Sequence, residues 1–514
     1  MANITIAKNA VTAKLVEVEP EIKHILSELL SYAVTGAEYS DMFKSGKWDG
    51  RSSFFKYKTS TFPAGFVRMA ASKLKKLGHK VRIVAKELPQ PLGAVRPVVN
   101  AFGYTEEYDY QPQAVDTLVS RGSMIAQIAT GGGKSNICAI AVARIKRPTL
   151  FITTRGVLMY QMKAALESSI QYRSENGEPE LSEAEVGVIG DGIWNPKRVT
   201  VAMVQTLASK LKDPDPFASP RDQKRQKTIQ DRVKSLLSRF ELVILEEAHE
   251  ASGNSYFEIL RNCVNAHYRL ALTATPFMKD DAEDNMRLMA CVGPIGVVVT
   301  EKELIDKGIL AKPYFRYIEN PKTPKLSNGT PWARAYKTAI VECVLRNTII
   351  VNEVIKMKAA GLSVITLVQH TNHGKLLNDL MKAAGVRVNY IRGSSSQEVR
   401  QEALRKLGAG EIDLLIGTNV LDVGVDVPSV GAIILAGGGK AEVALRQRIG
   451  RGLRRKKKGP NIAFVVDFVD GHNTHTKGHA RQRRYIVENT EGFGENILAE
   501  GVDFSYDIFK KIVL

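Results

Sequence analysis

The sequence predicts an α/β protein with two tandem parallel-sheet domains that follow a small α+β N-terminal domain. Three observations support this prediction. Short apolar segments alternate with loops and helical patterns over residues 101–300, the same alternation returns over 311–470, and residues 1–100 mix short strand and helix patterns. Alternation of strands with helices is typical of parallel sheets that carry helices on both faces.

The N-terminal 100 residues show both periodicities. Polar and apolar side chains alternate in the predicted strands, whereas the predicted helices place their apolar residues on one face. The predicted strands are 12–19, 54–57 and 81–84, and the predicted helices are 21–32 and 65–77. Between them lies SGKWDGR, at 45–51, in which Trp48 is either a core anchor or a wedge that stacks on bases. Prolines at 89, 91 and 97 mark a linker.

The two later domains are predicted from apolar strands separated by loops and helices. The first has strand candidates at 124–128, 149–153, 199–203, 242–245 and 269–272, with helices at 134–145 and 158–168. The second has strand candidates at 363–368, 387–391, 413–417, 432–435 and 463–467. Residues 212–239 are very charged and predict a solvated insertion, and 478–489 predict a basic helix. The predicted domains are therefore 1–100, 101–305, 306–475 and 476–514.

The chain has 514 residues and a net charge of +18, which favours a polyanionic partner such as nucleic acid. Its four cysteines form no CxxC pair, so they predict buried reduced thiols rather than a structural zinc site or disulfides. The N-terminus lacks a signal-peptide core, and no apolar run approaches the roughly 20 residues of a membrane span. We therefore expect no membrane partner and a cytoplasmic location, in a bacterium or in a cell that a virus has infected.

A glycine-rich loop, ATGGGKS at 129–135, follows the first strand candidate of the first parallel-sheet domain. Glycines let backbone N–H groups curl round a phosphate, and the positive end of a helix dipole adds attraction. Lys134 can reach the β and γ phosphates of a nucleotide, and the Ser135 hydroxyl can ligate Mg²⁺. The loop predicts a site for ATP and Mg²⁺. Ile128 replaces the first glycine of the strict pattern, and a plain glycine-rich turn is the alternative.

Two acidic residues, Glu246 and Glu247, end the strand candidate in LVILEEAH. Carboxylates at this edge of a parallel sheet lie beside a phosphate loop. The first can hold Mg²⁺ through water, and the second can orient and deprotonate the attacking water. An acidic surface loop is the alternative.

The stretch QRIGRGLRR at 447–455 predicts a helix on which arginines three apart share a face. From such a face Arg451 and Arg454 can bind a γ-phosphate and stabilise charge in the transition state, as an arginine finger does. A basic surface helix is the alternative.

The motifs and their order resemble the superfamily 2 helicases over about residues 105–470. The ordered set is YQ at 110–111, ATGGGKS, TTRGVLMYQ at 153–161, VQTL at 204–207, EEAH, LTATP at 272–276, GTNVLDVGVDVP at 417–428 and QRIGRGLRR. The resemblance implies two RecA-like motor domains that bind ATP between them. Through GKWDGR at 46–51 and AGGGK at 436–440 it extends to UvsW-type phage helicases, and more narrowly to those of T5-like phages, which implies action on branched DNA.

Under this interpretation each motif residue has an expected role. Catalysis is expected from Glu247 as the base, with Lys134, Arg451 and Arg454. The expected nucleotide contacts are Gln111 on adenine, Thr130, Gly131, Gly132, Gly133, Lys134, Ser135, Glu246, Gly424, Asp426, Gln447 and Arg448, with Mg²⁺ held by Ser135 and Glu246. The expected DNA contacts are Thr153, Thr154, Arg155, Gln205, Thr206, Gln369, His370, Thr418, Trp48 and Arg51. Coupling is expected from His249, Thr273 and Thr275.

Position 246 departs from the usual DExH pattern, because Glu stands where Asp is expected. The extra methylene moves the carboxylate by roughly 1.5 Å, which can rearrange Mg²⁺ coordination. Since the other motifs are intact, we expect a working ATPase.

The interpretation that follows is an ATP-dependent helicase that translocates on DNA and remodels forks, Holliday junctions and displaced loops in replication, recombination or repair. Two alternatives stay open, an RNA helicase and a DNA translocase that does not separate strands. The first is less favoured because the N-terminal region lacks a KH or RRM pattern. Other replication or recombination proteins are further candidate partners, and the loose spacing of His472, His475 and His479 favours an exposed helix over a metal site.

Overall fold

The chain divides into two compact units, residues 1–128 with 133–298 and residues 129–132 with 299–514. The computed structural model describes residues 2–99, 105–169, 186–248, 254–277, 282–322, 325–418, 430–439, 445–446, 449–450, 452–456 and 459–506. Within these ranges, none of the helices combines the length and the apolar character that crossing a membrane requires.

The first unit begins with a small α+β region. Its strands are β1 (Asn3–Lys8), β2 (Thr12–Val16), β3 (Ser31–Ala33), β4 (Arg51–Ser53), β5 (Thr61–Pro63) and β6 (Lys80–Ala85), and its helices are α1 (Pro20–Leu29), α2 (Asp41–Lys44) and α3 (Val67–Lys76). One sheet has the order β5-β2-β1-β6, and β3 pairs with β4 alone. Because strand side chains alternate between faces, Ile4 and Ile6 reach one core together with Leu26 and Leu74.

Two predictions about this region are wrong. The helix expected over 21–32 ends at Leu29, because residues 31–33 pair with β4 instead. The strand expected over 54–57 lies at 51–53. Phe54 and Phe55 are consecutive and both join the core packing, so a single regular strand cannot bury them on one face.

The rest of the first unit is a parallel-sheet domain. Its elements are α4 (Tyr110–Arg121), β7 (Ser123–Ile128), α5 (Lys134–Ile145), β8 (Thr149–Thr153), α6 (Gly156–Ser169), β9 (Val186–Gly190), β10 (Ile193–Asn195), β11 (Val199–Met203), α7 (Val204–Leu211), α8 (Pro220–Leu237), β12 (Leu242–Glu246), α9 (Asn254–Asn262), β13 (Tyr268–Thr273), α10 (Ala282–Val292) and β14 (Ile295–Val299). The sheet order is β10-β9-β11-β8-β12-β13-β7-β14. The strands from β9 to β7 in this order run parallel, and β10 is antiparallel to β9.

The charged segment 212–239 is more than a solvated insertion, so that prediction is wrong in part. Ser219 accepts a hydrogen bond from the Asp222 amide and thereby caps α8. One face of α8 places Val233 and Leu237 in the core of the first parallel sheet. Its charged residues face solvent, which is the pattern of an amphipathic helix.

The second unit is a second parallel-sheet domain. Its elements are α11 (Glu301–Asp306), β15 (Lys312–Glu319), α12 (Trp332–Tyr336), a π-helical turn (Lys337–Val341), α13 (Val344–Ala359), β16 (Val364–Leu367), α14 (Thr371–Ala383), β17 (Val388–Ile391), α15 (Gln397–Gly408), β18 (Leu414–Gly417), β19 (Ala432–Leu435), β20 (Ile462–Val469) and α16 (Thr474–Glu488). All six strands run parallel, in the order β15-β20-β19-β16-β18-β17.

The predicted fold class is confirmed, with two parallel-sheet domains of RecA type behind an α+β region. The ten strand candidates of the two sheets all correspond to observed strands, with ends that agree within one or two residues. The basic C-terminal helix begins at Thr474, and it buries Ala480, Arg483, Ile486 and Val487 rather than lying apart from the second unit. All four cysteines are buried free thiols, as expected. The four predicted domain boundaries stay a prediction.

Candidate nucleotide site and nucleic-acid interface

The glycine-rich loop lies between the buried strand β7 and the first residue of α5, Lys134. Gly131 and Gly133 have φ angles of 90° and 74°, in the region that only glycine adopts without strain. Within the loop the Gly132 amide donates to the Ala129 carbonyl at 3.0 Å. The chain therefore curls before the positive end of a helix, which is the geometry of a phosphate cradle.

Gln111, the residue expected to contact adenine, is buried in α4 and packs against this loop. A Cβ added at Gly133 would lie 2.4 Å from its Nε2 atom, so a larger residue there would displace it. The Asn136 side-chain amide donates to Gln111 Oε1. Sequence reasoning missed Asn136, because it has no motif of its own and its role appears only in this contact.

Glu246 is the last residue of β12 and is buried. It is in register with Leu272 of β13, which is in register with Ala126 of β7. The carboxyl ends of these neighbouring parallel strands therefore lie side by side. Burial raises the pKa of the Cys138 thiol, and the nearby charge of Glu246 raises it further. Since Cys138 lies one turn after Lys134, Glu246 is close to the start of α5.

Glu247, the expected catalytic base, has a φ angle of 48°. A residue with a Cβ in this left-handed conformation costs roughly 1–2 kcal/mol relative to the ordinary regions. Such strain persists only where the surroundings impose it, and it concentrates at functional sites. The sequence pattern gave no sign of this backbone conformation, because Glu is not a residue that favours it.

The TAT stretch follows β13, where Thr273 and Thr275 are both buried. The Thr275 amide donates to Thr273 Oγ1 at 3.2 Å. The Thr275 hydroxyl oxygen is buried, and within the described part of the chain it makes no hydrogen bond. A buried hydroxyl in this state can gain a partner when the site rearranges. His249, the third residue expected to couple the sites, lies outside the described residues.

These residues fit a magnesium nucleotide. The glycine cradle suits phosphates, Lys134 is half-buried at its edge, and Ser135 is exposed on the first turn of α5. Ser135 and Glu246 would hold the metal, which when bound neutralises phosphate charge and polarises the phosphoryl group. Elsewhere, the described residues include no group of three or more His, Cys, Asp or Glu side chains that could hold a metal ion.

The first group of expected DNA contacts comes together at the ends of β8 and β11. These strands are parallel neighbours with Thr153 in register with Met203. The Gln205 side chain donates to the Thr154 carbonyl at 3.0 Å, and the Arg155 amide donates to Thr153 Oγ1 at 3.4 Å. Gln205 and Arg155 are exposed, and Thr206 on α7 is half-buried. Two motifs about fifty residues apart thus form one surface.

The second group follows the neighbouring strands β16 and β18 of the second unit. The Val368 amide donates to the Gly417 carbonyl at 3.0 Å, which aligns the ends of these strands. Gln369 and His370 are exposed just beyond β16, and Thr418 is buried just beyond β18. The His370 ring packs on Tyr336, with centroids 4.6 Å apart. The structure places these three residues near one edge of the sheet.

Two buried ion pairs hold the glycine-rich loop 436–439, and sequence reasoning missed both. Arg346 donates to Asp470 at 2.9 Å and to the first carbonyl of the loop at 2.9 Å. Arg483 donates twice to Asp467, at 2.9 and 3.0 Å, and to the last carbonyl of the loop at 3.1 Å. The partners lie far apart in sequence, so no local pattern could have paired them.

The end of the predicted arginine helix differs from expectation. Arg454 is not helical, because its backbone forms a β-bridge with Leu310. The Ala311 amide also donates to the Leu453 carbonyl at 2.6 Å. These hydrogen bonds to a distant segment hold Arg454 in an extended conformation. The prediction that Arg454 lies on a helical face shared with Arg451 is therefore wrong. The Arg454 side chain is exposed.

Several expected nucleotide contacts lie outside the described residues. They are Gly424, Asp426, Gln447, Arg448 and Arg451. Lys456, just after this stretch, is half-buried, and burial lowers the pKa of its ammonium group to about 8.

The GKWDGR element forms a turn between α2 and β4. Trp48 is half-buried and donates through Nε1 to the Arg51 carbonyl at 2.6 Å. It is not part of the hydrophobic core of this region, which removes the core-anchor interpretation and leaves the stacking interpretation as a prediction. Arg51 is exposed and donates to Ser31 Oγ at 2.7 Å.

Comparison with known families matches both sheets. Residues 105–278 match the family described as "Type III restriction enzyme, res subunit", and residues 346–456 match "Helicase conserved C-terminal domain". Together with the phosphate loop and the carboxylates at the strand ends, these matches define a nucleotide-driven motor built on two RecA-like domains.

Similar proteins extend over nearly the whole chain. The ATP-dependent DNA helicase uvsW of Enterobacteria phage T4 is 24% identical, over 95% of this chain and 93% of its own. The DNA 3'-5' translocase XPB2 of Sulfurisphaera tokodaii is 24% identical, over 73% and 82%. Putative helicase 22 of a Sulfolobus islandicus filamentous virus is 27% identical over 52% of this chain, and the match spans about half of that relative, 49%. The chain is an ATP-dependent helicase, and it is similar to the UvsW-type helicases of superfamily 2 over nearly its whole length.

Proposed function

We propose that this helicase translocates on DNA and unwinds or remodels branched structures such as forks, Holliday junctions and displaced loops. The observation that carries the proposal is the similarity to a phage DNA helicase over 95% of the chain, which includes the N-terminal α+β region as well as the motor. A branched substrate presents duplex and single-stranded parts together. The proposal therefore assigns the single strand to the motor and the junction to the N-terminal region.

The nucleotide half of the cycle is supported by the glycine cradle and by the acidic end of β12. Lys134 would bind the β and γ phosphates, with Mg²⁺ on Ser135 and Glu246, and Glu247 would take the proton of the attacking water. The longer side chain at position 246 is accommodated as a buried residue at the strand end. Arg451 and Arg454 would stabilise charge on the γ-phosphate, together with contacts from Gln447 and Arg448.

The nucleic-acid half is supported by the two exposed groups at the sheet edges. Gln205 lies against the Thr154 carbonyl in the first unit. Gln369 and His370 are consecutive residues after β16 in the second unit, and Thr418 follows the neighbouring strand β18. Such hydroxyls, amides and backbone groups contact phosphates, which suits movement along DNA without regard to its sequence. The net charge of +18 favours the same polyanion.

The test is unwinding of a panel of substrates by the full chain with ATP and Mg²⁺. The panel contains forks, Holliday junctions, displaced loops and linear duplexes of equal length. We expect the branched substrates to be unwound faster than linear duplex. Equal rates on all of them would overturn the assignment to branched DNA but leave the helicase activity in place.

A matched panel of single-stranded DNA, forked DNA and RNA as stimulators of ATP hydrolysis tests the choice of nucleic acid. We expect DNA to stimulate more than RNA. Stimulation by RNA alone would replace the proposal with an RNA helicase.

A second candidate function is a DNA translocase that does not separate strands. It is favoured by the match of residues 105–278 to a restriction-enzyme subunit family and by the similarity to a relative named a translocase. Displacement of a triplex-forming strand from duplex DNA reports translocation alone. Triplex displacement without any fork unwinding would favour this candidate.

Two further parts of the proposal concern where and with whom the protein acts. The charge and the phage relative support action on DNA in the cytoplasm of an infected bacterium, next to other replication or recombination proteins. An origin in a T5-like phage stays a prediction.

A further inference from the structure

A small, partly enclosed cavity lies in the first unit where the N-terminal sheet meets the parallel sheet. Its volume is about 40 Å³, which is room for roughly three waters or for one tetrahedral phosphate group. The side chains that line it include Lys8 at the end of β1, Lys86 just after β6 and Arg121 at the end of α4. His267 and Arg269, beside and within β13, complete the wall.

None of the side chains that line this cavity is acidic. Within the described ranges, Lys8, Lys86 and Arg121 form no ion pair. Glu241 acts electrostatically on His267 in the wall of the cavity, and this carboxylate is held by Arg147 at 2.6 Å. Several cations thus share a small volume without a counterion of their own, which is the charge arrangement of an anion site.

Arg269 contributes a fixed charge at the back of the cavity. It is buried, and its guanidinium donates to the carbonyls of Leu260, Cys263, Ala266 and Cys291 at 2.8–3.2 Å. Carbonyls satisfy its hydrogen bonds but do not cancel its charge. A buried guanidinium that is bonded only to carbonyls therefore leaves a net positive potential in front of it.

Burial lowers the pKa values of two of these cations, and the charge of a neighbouring arginine acts in the same direction on each. Burial lowers the pKa of the Lys8 ammonium, and the neighbouring Arg68 lowers it further. Burial lowers the pKa of the Arg68 guanidinium, and Arg121 acts in the same direction. An anion placed among them would relieve this repulsion.

An open groove on α3 is also lined by positively charged side chains. That groove is lined by Arg68, Ser72, Lys75 and Lys76. Arg68 acts electrostatically on Lys8 and is itself affected by Arg121, so it connects the groove to the cavity. Several cations on one helix together with a cationic cavity suit the repeated charges of a nucleic-acid backbone better than a single small anion.

We propose that the cavity between Lys8, Lys86 and Arg121 binds one backbone phosphate of a DNA duplex, and that the α3 groove binds the phosphates next to it. This site is separate from the motor motifs and would hold the double-stranded arm while the motor works on the single strand. The assignment rests on the proposed function in that the phosphate belongs to DNA.

The test measures DNA binding by the full chain without nucleotide, over a series of salt concentrations. The variant is Lys8→Gln with Arg121→Gln, and the probes are a blunt duplex and a single strand of equal length. The logarithm of duplex affinity falls with the logarithm of salt by about 0.9 for each phosphate contact. For the variant we expect a slope that is smaller by the equivalent of about one to two phosphate contacts. We also expect its duplex affinity at moderate salt to be about threefold to tenfold weaker.

Two control variants make the result specific. Lys224→Gln with Arg225→Gln removes the same charge from the exposed surface of α8 and should leave the duplex slope almost unchanged. Lys8→Arg with Arg121→Lys keeps the charge in the cavity and should keep the wild-type slope. A slope that is unchanged in the cavity variant, or equally reduced in the α8 variant, overturns the proposal.

Two further measurements separate the possible sources of the phosphate and the two proposals. Titration with inorganic phosphate followed by calorimetry tests for a free-phosphate site, and phosphate binding with an unaltered duplex slope overturns the DNA assignment. Hydrolysis of ATP stimulated by single-stranded DNA should be equal in all variants. The wild type could unwind no substrate while the cavity variant still shows a smaller salt dependence of duplex binding. In that case the proposed function fails and the duplex site stands.

Discussion

At the end of β12 in the first unit, Glu247 has a strained backbone with a φ angle of 48°. At the end of β20 in the second unit, Asp467 and Asp470 are instead held in buried ion pairs with arginines at 2.9 Å. Both positions lie at the carboxyl edge of a parallel sheet, where ligands of such folds bind. The first edge holds a candidate catalytic residue in a strained backbone conformation, and the second holds its two aspartates in ion pairs.

The difference shows that the two sheets contribute in different ways. In the first unit, Glu247, the candidate base, follows β12 in a strained backbone conformation. In the second unit, Arg346 and Arg483 fix both ends of the loop 436–439 and give it a defined shape. A rigid loop suits a part that transmits motion, whereas strain suits a site that must be ready to react.

The largest effect is expected at the strained edge. Glu247→Gln removes the proposed base and should reduce ATP hydrolysis by about 10²–10⁴-fold, with nucleotide binding preserved. Lys134→Ala should abolish hydrolysis by weakening the hold on the phosphates. Phosphate release in the presence of DNA is the measurement, and Glu258→Gln on the exposed face of α9 is the control. Wild-type turnover in either variant would show that the chemistry lies elsewhere.

The next largest effect is expected at the bonded edge. Removing one partner of a buried ion pair leaves an unpaired buried charge, which costs about 3–5 kcal/mol of folding stability. Asp470→Ala should therefore lower the urea concentration at which the second unit unfolds. Trp332 reports this unit alone when Trp48 and Trp194 are replaced by Phe. Arg346→Met together with Asp470→Leu should recover much of the loss. An unshifted urea midpoint in Asp470→Ala would mean that the pair contributes little.

A smaller effect is expected at Gln205, where we propose that the first unit binds the DNA strand. Gln205→Ala removes the hydrogen bond to the Thr154 carbonyl and an exposed amide. Loss of one such bond is worth about 0.5–1.5 kcal/mol, or about threefold to tenfold in the DNA concentration that half-saturates ATP hydrolysis. The maximal rate should not change. Ser209→Ala, one turn along the same helix, is the control, and a similar shift there would remove the assignment to Gln205.

The smallest effect concerns stability. Glu247→Gly should relieve the strain of the left-handed backbone conformation. The free energy of unfolding of the first unit should stay unchanged or rise by about 1 kcal/mol, although activity is lost. Glu17→Gly is a matched control, because Glu17 has a φ angle of 45° on the surface. It should change stability similarly with full activity. A clear loss of stability in Glu247→Gly alone would show that the carboxylate itself holds the fold together.

Local patterns predicted much of the fold and part of the site. The apolar runs of β8, β11 and β19 and the helix α5 were predicted with their observed bounds, because periodicity and burial act over a few residues. The phosphate loop was recognisable because its glycines and Lys134 are adjacent in sequence. The strand expected at 54–57 failed because two consecutive phenylalanines pack into the core, which depends on distant partners.

The amino-acid sequence was enough to predict the class of motor, the order of its motifs and the residues expected to bind a nucleotide, since each of these depends on short contiguous stretches. The tertiary structure alone decided the rest: the strain at Glu247, the bond from Gln205 to Thr154, and the Arg346–Asp470 pair across 124 positions. The cationic cavity likewise gathers residues from β1, α4 and β13. The physical reason is that strain, ion pairing and electrostatic potential depend on distances in space, which separation along the chain does not specify.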